Sequence, residues 1–180
     1  MDYPLLAQRL TIQPLAREDL LDFVSYRQDP EIAKFQSWDT NYSKEQALAL
    51  IESQAGVLIP AQGNWLQLAL HHAESNELLG DLALHSLTED EFEIGFTIAK
   101  QHQGKGFAKE AASALITLLF RELGAIRVIA NTDSRNAASI SVLRALGFVQ
   151  DTSKSWVELF KDAMVTVHYF ELNSNLRQTN

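Results

Sequence analysis

Apolar residues recur along this chain with two periods, and the switches between those periods mark out its elements. Leu10 to Leu15 reads as a first strand, and Arg17 to Gln28 then sets Leu20, Leu21, Phe23 and Val24 at helical spacing before Pro30 ends the run. A second helix is predicted from Ser43, where Ser43 and Gln46 form a capping-box pattern ahead of Ala47, Leu48, Leu50 and Ile51. Trp65 to His72 and Leu78 to His85 read as strands around the polar turn from Ala73 to Glu77, and with Glu91 to Ile98 they predict an antiparallel meander. Phe107 to Leu123 is an apolar helix ending at Gly124, and Ile126 to Asn131 returns as a strand. Ala137 to Leu146 is the last helix, with Gly147 suited to its left-handed cap. Trp156 to Phe160 and Val165 to Leu172, joined through Lys161 to Met164, make a closing hairpin, and 173–180 reads as a frayed, flexible polar tail. Two helices thus precede a mixed sheet, with no linker or repeat dividing a single domain over 1–180.

Composition narrows the classes of function. A chain of 180 residues with 46% hydrophobic and 21% charged content can bury a sizeable core. No cationic leader, lipidation signal or apolar run of membrane-spanning length is present, so a cytoplasmic protein without a membrane partner is expected. The absence of Cys excludes a disulfide framework, a zinc-thiolate site and a cysteinyl acyl-enzyme, and the five histidines have no metal-ligand spacing, so no metal is expected. A net charge of −8 speaks against nonspecific nucleic-acid binding and favours cationic partners.

The chemistry concentrates in Gln101-His102-Gln103-Gly104-Lys105-Gly106-Phe107-Ala108-Lys109, where two spaced glycines open an apolar helix just after a strand. Lacking Cβ atoms, Gly104 and Gly106 let successive backbone N–H groups converge, and the helix aims its unpaired amides and positive dipole end at the same point. Lys105 and Lys109 in the first turn oppose that dipole by roughly 0.3 to 1 kcal/mol each, a cost that a bound anion offsets. A Walker loop is excluded by the single residue between the glycines and the missing hydroxyl partner, and a dinucleotide fingerprint by Lys109 where a third small residue belongs. A plain glycine turn ahead of a solvated helix is the alternative.

Gln101, Gly104 and Gly106 resemble the [Gln/Arg]-x-x-Gly-x-[Gly/Ala] motif of the GNAT superfamily of acetyl-CoA-dependent N-acetyltransferases. Asn136, Ser139 and the apolar run ending in Gly147-Phe148 resemble its second signature, and Arg9 to Ile12, Asp29 to Ala33 and Glu93 to Phe96 resemble its Rim-like branch, which includes ribosomal-protein N-terminal acetyltransferases. The resemblance implies an α/β (α+β) fold: a mixed, mostly antiparallel sheet with a splayed strand pair, flanked by helices. It also implies direct acetyl transfer from acetyl-CoA to a primary amine in a ternary complex, the acceptor being a protein or peptide N-terminus or a small-molecule amine, with the enzyme a monomer or homodimer. The backbone of Phe96, Thr97 and Ile98 would pair with the pantetheine, and Gln103, Gly104, Lys105, Gly106, Phe107 and Ala108 would contact the pyrophosphate. Core packing accounts equally for Phe96 and Ile98.

Glu93 is the candidate general base, because alternation puts Glu91, Glu93, Gly95 and Thr97 on the polar face of their strand; a solvated carboxylate is the other reading. Asn136 reads either as a helix cap or, by the resemblance, as a contact to the CoA arm, with Ser139 near the thiol. Many relatives carry a Tyr seven residues after this Asn as the thiolate's proton donor; here Leu143 stands there, and Ser139 becomes the substitute acid. Trp38 and Tyr42 are candidates for walling the acceptor pocket or binding a cation, or for plugging the edge of the core. A noncatalytic CoA-binding sensor or interaction domain is the alternative that Leu143 suggests.

Overall fold

The computed structural model describes residues 3–174. The chain enters through β1 (Leu5–Leu6), too short to show a period, and β2 (Leu10–Pro14). A single 3-10 turn at Arg17–Asp19 leads into α1 (Leu20–Arg27). Pro30 stops that helix as predicted and also starts another: α2 (Pro30–Ala33) is one turn with Pro at its first position and Asp29 accepting from the Glu31 N–H at 2.8 Å. In α3 (Lys44–Ser53) both capping-box bonds form, Gln46 N–H to Ser43 Oγ and Ser43 N–H to Gln46 Oε1. The meander follows as β3 (Trp65–His72), β4 (Leu78–Ser86) and β5 (Glu91–Ile98), then α4 (Phe107–Arg121), β6 (Arg127–Asp133) and α5 (Ala137–Ala145).

The closing hairpin is longer than its apolar pattern. β7 (Val149–Phe160) begins seven residues before Trp156, because Val149 to Asp151 already pair with β8 and polar Thr152 to Ser155 form an irregularity before pairing resumes at Trp156. β8 (Ala163–Asn173) follows a two-residue turn at Lys161 and Asp162, both left-handed at φ 49° and 64°, so the four-residue link is corrected to the tighter type. Asn173 pairs with Arg127 and the Ser174 N–H reaches the Ile126 carbonyl, which removes both from the expected tail; 175–180 lie outside the described residues.

The sheet runs β1-β2-β3-β4-β5-β6-β8-β7, antiparallel except for β5 and β6. These two pair only from Glu91↔Arg127 to Glu93↔Ile129; beyond that β5 continues to Ile98 and β6 to Asp133 without pairing each other. The splayed pair therefore opens at Glu93. Leu66, Leu68, Leu70, Leu82, Leu84, Phe92 and Ile94 share the core with the Ala111, Ala112, Leu115, Ile116 and Leu119 stripe of α4, each large side chain contributing about 1.5 to 3 kcal/mol by burial. On the opposite face α1 and α3 pack Phe23, Val24, Ala47 and Ile51 over Ala69. No helix among the described residues is long and apolar enough to cross a membrane.

Candidate active site

A cleft of about 810 Å³ lies at the opening between β5 and β6 and is lined from both faces of the sheet. One side is the glycine loop with the first turns of α4 and α5. The other is α2 and the link after it, facing β7 and β8.

The loop side is built from backbone. Gly104 and Gly106 are both left-handed, at φ 74° and 83°, a conformation that a side chain makes costly. A Cβ on Gly104 would meet nothing within 4 Å and one on Gly106 only the Arg9 guanidinium at 3.6 Å, so the space before the loop is open. The first bond of α4 runs from Glu110 N–H to Gly106 carbonyl, which leaves the amides of 107–109 without intrahelical partners, as an anion seat requires. Arg9, 101 positions from Glu110, holds this geometry. Its backbone N–H and Nε donate to the Glu110 carboxylate at 2.6 and 2.8 Å, its Nη1 to the Lys105 carbonyl at 3.1 Å, and its guanidinium stacks 4.6 Å from the Phe107 ring centre. Nothing local in the sequence pairs residues so far apart.

Glu93, Phe96, Thr97, Ile98, Gln103, Gly104, Gly106, Phe107, Ala108, Asn136 and Ser139 all line the cleft, whereas Lys105 does not and Lys109 does. The strand expectation is also corrected in detail. The Ala99 N–H binds the Leu79 carbonyl, so by alternation the main-chain groups of Thr97 face β4 and those of Phe96 and Ile98 face the opening. The Ile98 carbonyl is already taken by Gln103 Nε2 at 2.9 Å. Phe96 is therefore the residue of the three whose main chain the opening leaves available. Asn136 caps α5, its Oδ1 accepting from Ser139 N–H at 3.1 Å, and its Nδ2 makes no bond within the described residues. The cap reading of Asn136 is thus met by Oδ1 alone, which leaves Nδ2 without a protein partner among the described residues.

Glu93 is held on both oxygens, by His85 Nδ1 at 3.2 Å and Asn131 Nδ2 at 2.8 Å, and 18% of its side chain remains exposed. Deeper in the opening Asp133 is engaged by both Nε and Nη2 of Arg135, whose hydrogen bonds hold its carboxyl below the usual carboxylate range.

Trp38 and Tyr42 do not line the cleft, which corrects the acceptor-wall expectation. They do bind a cation, but it is the chain's own. The buried Arg27 guanidinium lies 3.7 Å from the Trp38 ring centre, 4.0 Å from Phe23 and 4.9 Å from Tyr42. Arg27 faces Asp81 at 3.9 Å, and Asp81 also accepts from Tyr26 and Gln67. Burial and the neighbouring Asp81 carboxylate push the Tyr26 phenol well above its ordinary value. The side of the cleft opposite the glycine loop is walled by Glu31, Phe35, Trp156, Glu158 and Phe160, residues that sequence reasoning missed because they come from segments more than 120 positions apart. Among the described residues no group of three or more His, Asp or Glu could hold a metal ion.

The acetyltransferase (GNAT) domain matches residues 9–149 of this chain. The chain belongs to the GNAT acetyltransferases. The N-acetyltransferase p20 of Bacillus licheniformis is 28% identical over 93% of this chain and 94% of its own. Among solved structures, a GNAT-family acetyltransferase from Bacillus anthracis superposes with a TM-score of 0.83 at 20% identity over 95% of this chain and 98% of that one. The spermidine N-acetyltransferase of Vibrio cholerae, in complex with CoA and spermine, superposes at 0.79 with 19% identity over 93% and 96%. For this GNAT enzyme the acetyl donor is acetyl-CoA, whose thioester supplies the activated acetyl group. One departure from the family pattern has a clear structural consequence: Leu143, where many relatives have Tyr, is 1% exposed in the core between α5 and the sheet. Ser139, half-buried in the cleft wall, makes no side-chain hydrogen bond among the described residues and keeps its hydroxyl free.

Proposed function

We propose that this enzyme acetylates the primary amine of a cationic acceptor, a peptide or protein N-terminus or a small polyamine-like or antibiotic amine, in a ternary complex with acetyl-CoA. The observation that carries the reading is the polarity of the cleft: the glycine loop, the free amides of α4 and Lys109 line one side, while Glu31 and Glu158 line the other, with Glu93 at the opening between them. Glu31 makes no side-chain bond among the described residues, and Glu158 is oriented by the Trp156 indole N–H at 2.8 Å. Carboxylates between Phe35, Trp156 and Phe160 suit a cation on an apolar stem. In this reading the loop and the Phe96 main chain hold the donor, Asn136 Nδ2 contacts its arm, Glu93 accepts the amine's proton through water, and Ser139 returns a proton to the leaving thiolate.

The test is CoA release with putrescine, spermidine, kanamycin and tripeptides bearing free N-termini, with products identified by mass spectrometry. Intersecting double-reciprocal lines and a preference for dicationic acceptors are expected. Glu93→Gln should lower kcat about 100-fold, the size of a general-base contribution, with CoA affinity unchanged. Parallel lines with an acetylated protein that chases to product, or no turnover across the panel, would overturn the reading.

A further inference from the structure

We propose that His85 and Asn131 are positioning residues of acetyl transfer, which together hold the Glu93 carboxylate across the vertex of the strand opening. The inference rests on Glu93 as proton acceptor and extends that role to two residues outside every motif.

Glu93 is the last residue of β5 paired with β6, so its side chain stands where the sheet begins to part. His85 lies directly opposite it on β4, and Asn131 lies on β6 two residues past Glu93's partner Ile129. One donor therefore approaches from each side of the gap, and each takes a different oxygen, His85 at Oε2 and Asn131 at Oε1. The His85 ring is fixed by stacking on Trp65, with centres 4.4 Å apart and planes 16° from parallel, and a carboxylate partner requires the proton on Nδ1. Glu93 itself lines the cleft, and 18% of its side chain is exposed.

Asn131 is the more telling of the two. With Nδ2 turned to the carboxylate, its Oδ1 is buried and has no protein hydrogen-bond partner among the described residues. A buried acceptor without a partner destabilises a fold, and an apolar side chain of similar size removes that cost. Among the described residues the hydrogen bond that Asn131 makes with its side chain is the one to Glu93, at the cleft that both residues line.

The other carboxylates of the same face are held differently. Glu91 and Glu171 share Arg127, at 2.6 and 3.9 Å, Glu171 also binds Lys154 at 2.9 Å, and Asp133 is clasped by Arg135. Hydrogen bonds from these cations hold the Asp133 and Glu171 carboxyls below the usual range, which makes both poor proton acceptors. Glu93 is oriented by an amide and an imidazole, and no Lys or Arg is paired with it among the described residues.

The test combines steady-state kinetics, on the best acceptor of the panel above, with thermal melts of Asn131→Leu, Asn131→Ala, His85→Phe and His85→Gln, each alone and with Glu93→Gln. Asn131→Leu should melt at or above the parent temperature while kcat falls about tenfold or more and the KM for acetyl-CoA stays unchanged. His85→Phe keeps the stack on Trp65 and should lose a similar factor, and His85→Gln, which restores an N–H donor, should recover most of it. In the Glu93→Gln background none of the four should slow the enzyme further. Parent kcat in Asn131→Leu, Asn131→Ala and His85→Phe beside a slow Glu93→Gln would overturn the positioning role and leave Glu93 in place, as would losses that add to that of Glu93→Gln. A fully active Glu93→Gln would remove the reading of Glu93 itself.

Discussion

The two sides of the cleft are made of different material. The donor side is main chain: left-handed glycines, unpaired helix amides and an open strand edge, drawn mostly from the stretch between Phe96 and Lys109. The side proposed to take the acceptor is side chains: Glu31 and Phe35 after α1 face Trp156, Glu158 and Phe160 on β7. A backbone seat needs only the right conformation, so most side chains around it are free to vary, and it can serve one constant ligand. A side-chain wall changes with each substitution, so it can be fitted to one acceptor. The two sides should therefore fail in different ways.

The largest effect is expected at Gly80, where β4 passes under the donor-side end of β5. A Cβ there would stand 2.0 Å from the Thr97 carbonyl oxygen and 2.9 Å from the Ile98 Cα, both backbone atoms that cannot yield without parting the strands. Gly80→Ala should cost about 3 kcal/mol or more and lower Tm by roughly 6 to 12 °C. An unchanged melting curve would show that β5 tolerates the shift.

Next is Arg27→Met, which keeps volume but strips Trp38, Phe23 and Tyr42 of their cation and Asp81 of its counter-charge. A loss of about 2 to 3 kcal/mol is expected in chemical denaturation, while calorimetry should find CoA affinity unaltered because the cluster lies outside the cleft.

Gly106→Val sharpens the comparison from the donor side. It forces a branched residue into a left-handed site and places methyls in the open seat, so CoA affinity should fall at least about tenfold, near 1.4 kcal/mol, with the acceptor KM little changed. The mirror experiment replaces Glu31 and Glu158 together by Gln. The KM for a dicationic acceptor should rise by about threefold to tenfold, with CoA affinity constant and the effect shrinking at high salt. If both changes moved both constants alike, the two sides would not be separable.

The smallest effect is one of pH. Hydrogen bonds from Arg135 hold the Asp133 carboxyl below the usual range, and Lys154 does the same for Glu171. A carboxyl depressed in the folded state stabilises it above the unfolded value of about 4, and that contribution is lost as pH falls through the folded value. Melting temperatures of the parent and Arg135→Gln should differ above about pH 4 and converge as the pH falls further below it.

The capping box at Ser43, the glycine cap at Gly147 and the left-handed turn at Gly104 and Gly106 were legible in the sequence, because each is a property of a few adjacent residues. So was the candidacy of Glu93, since strand alternation alone puts it on the polar face. Its partners were not, because His85 and Asn131 reach it from two other strands, 8 and 38 positions away.

By itself the sequence determined the longer elements and their order, the meander, the left-handed glycine turn and the family, all of which follow from periodicity, backbone preference and short motifs. Only the tertiary structure decided that the aromatic pair encloses Arg27, that Lys109 rather than Lys105 reaches the cleft, and that polar Gln150 to Ser155 belongs to a strand. It also decided that Phe96, of its strand segment, keeps free main-chain groups. The reason is physical. A turn or a cap is stabilised by atoms within one segment, whereas a wall, an ion pair or a carboxylate's orientation depends on which segments the packed sheet brings together.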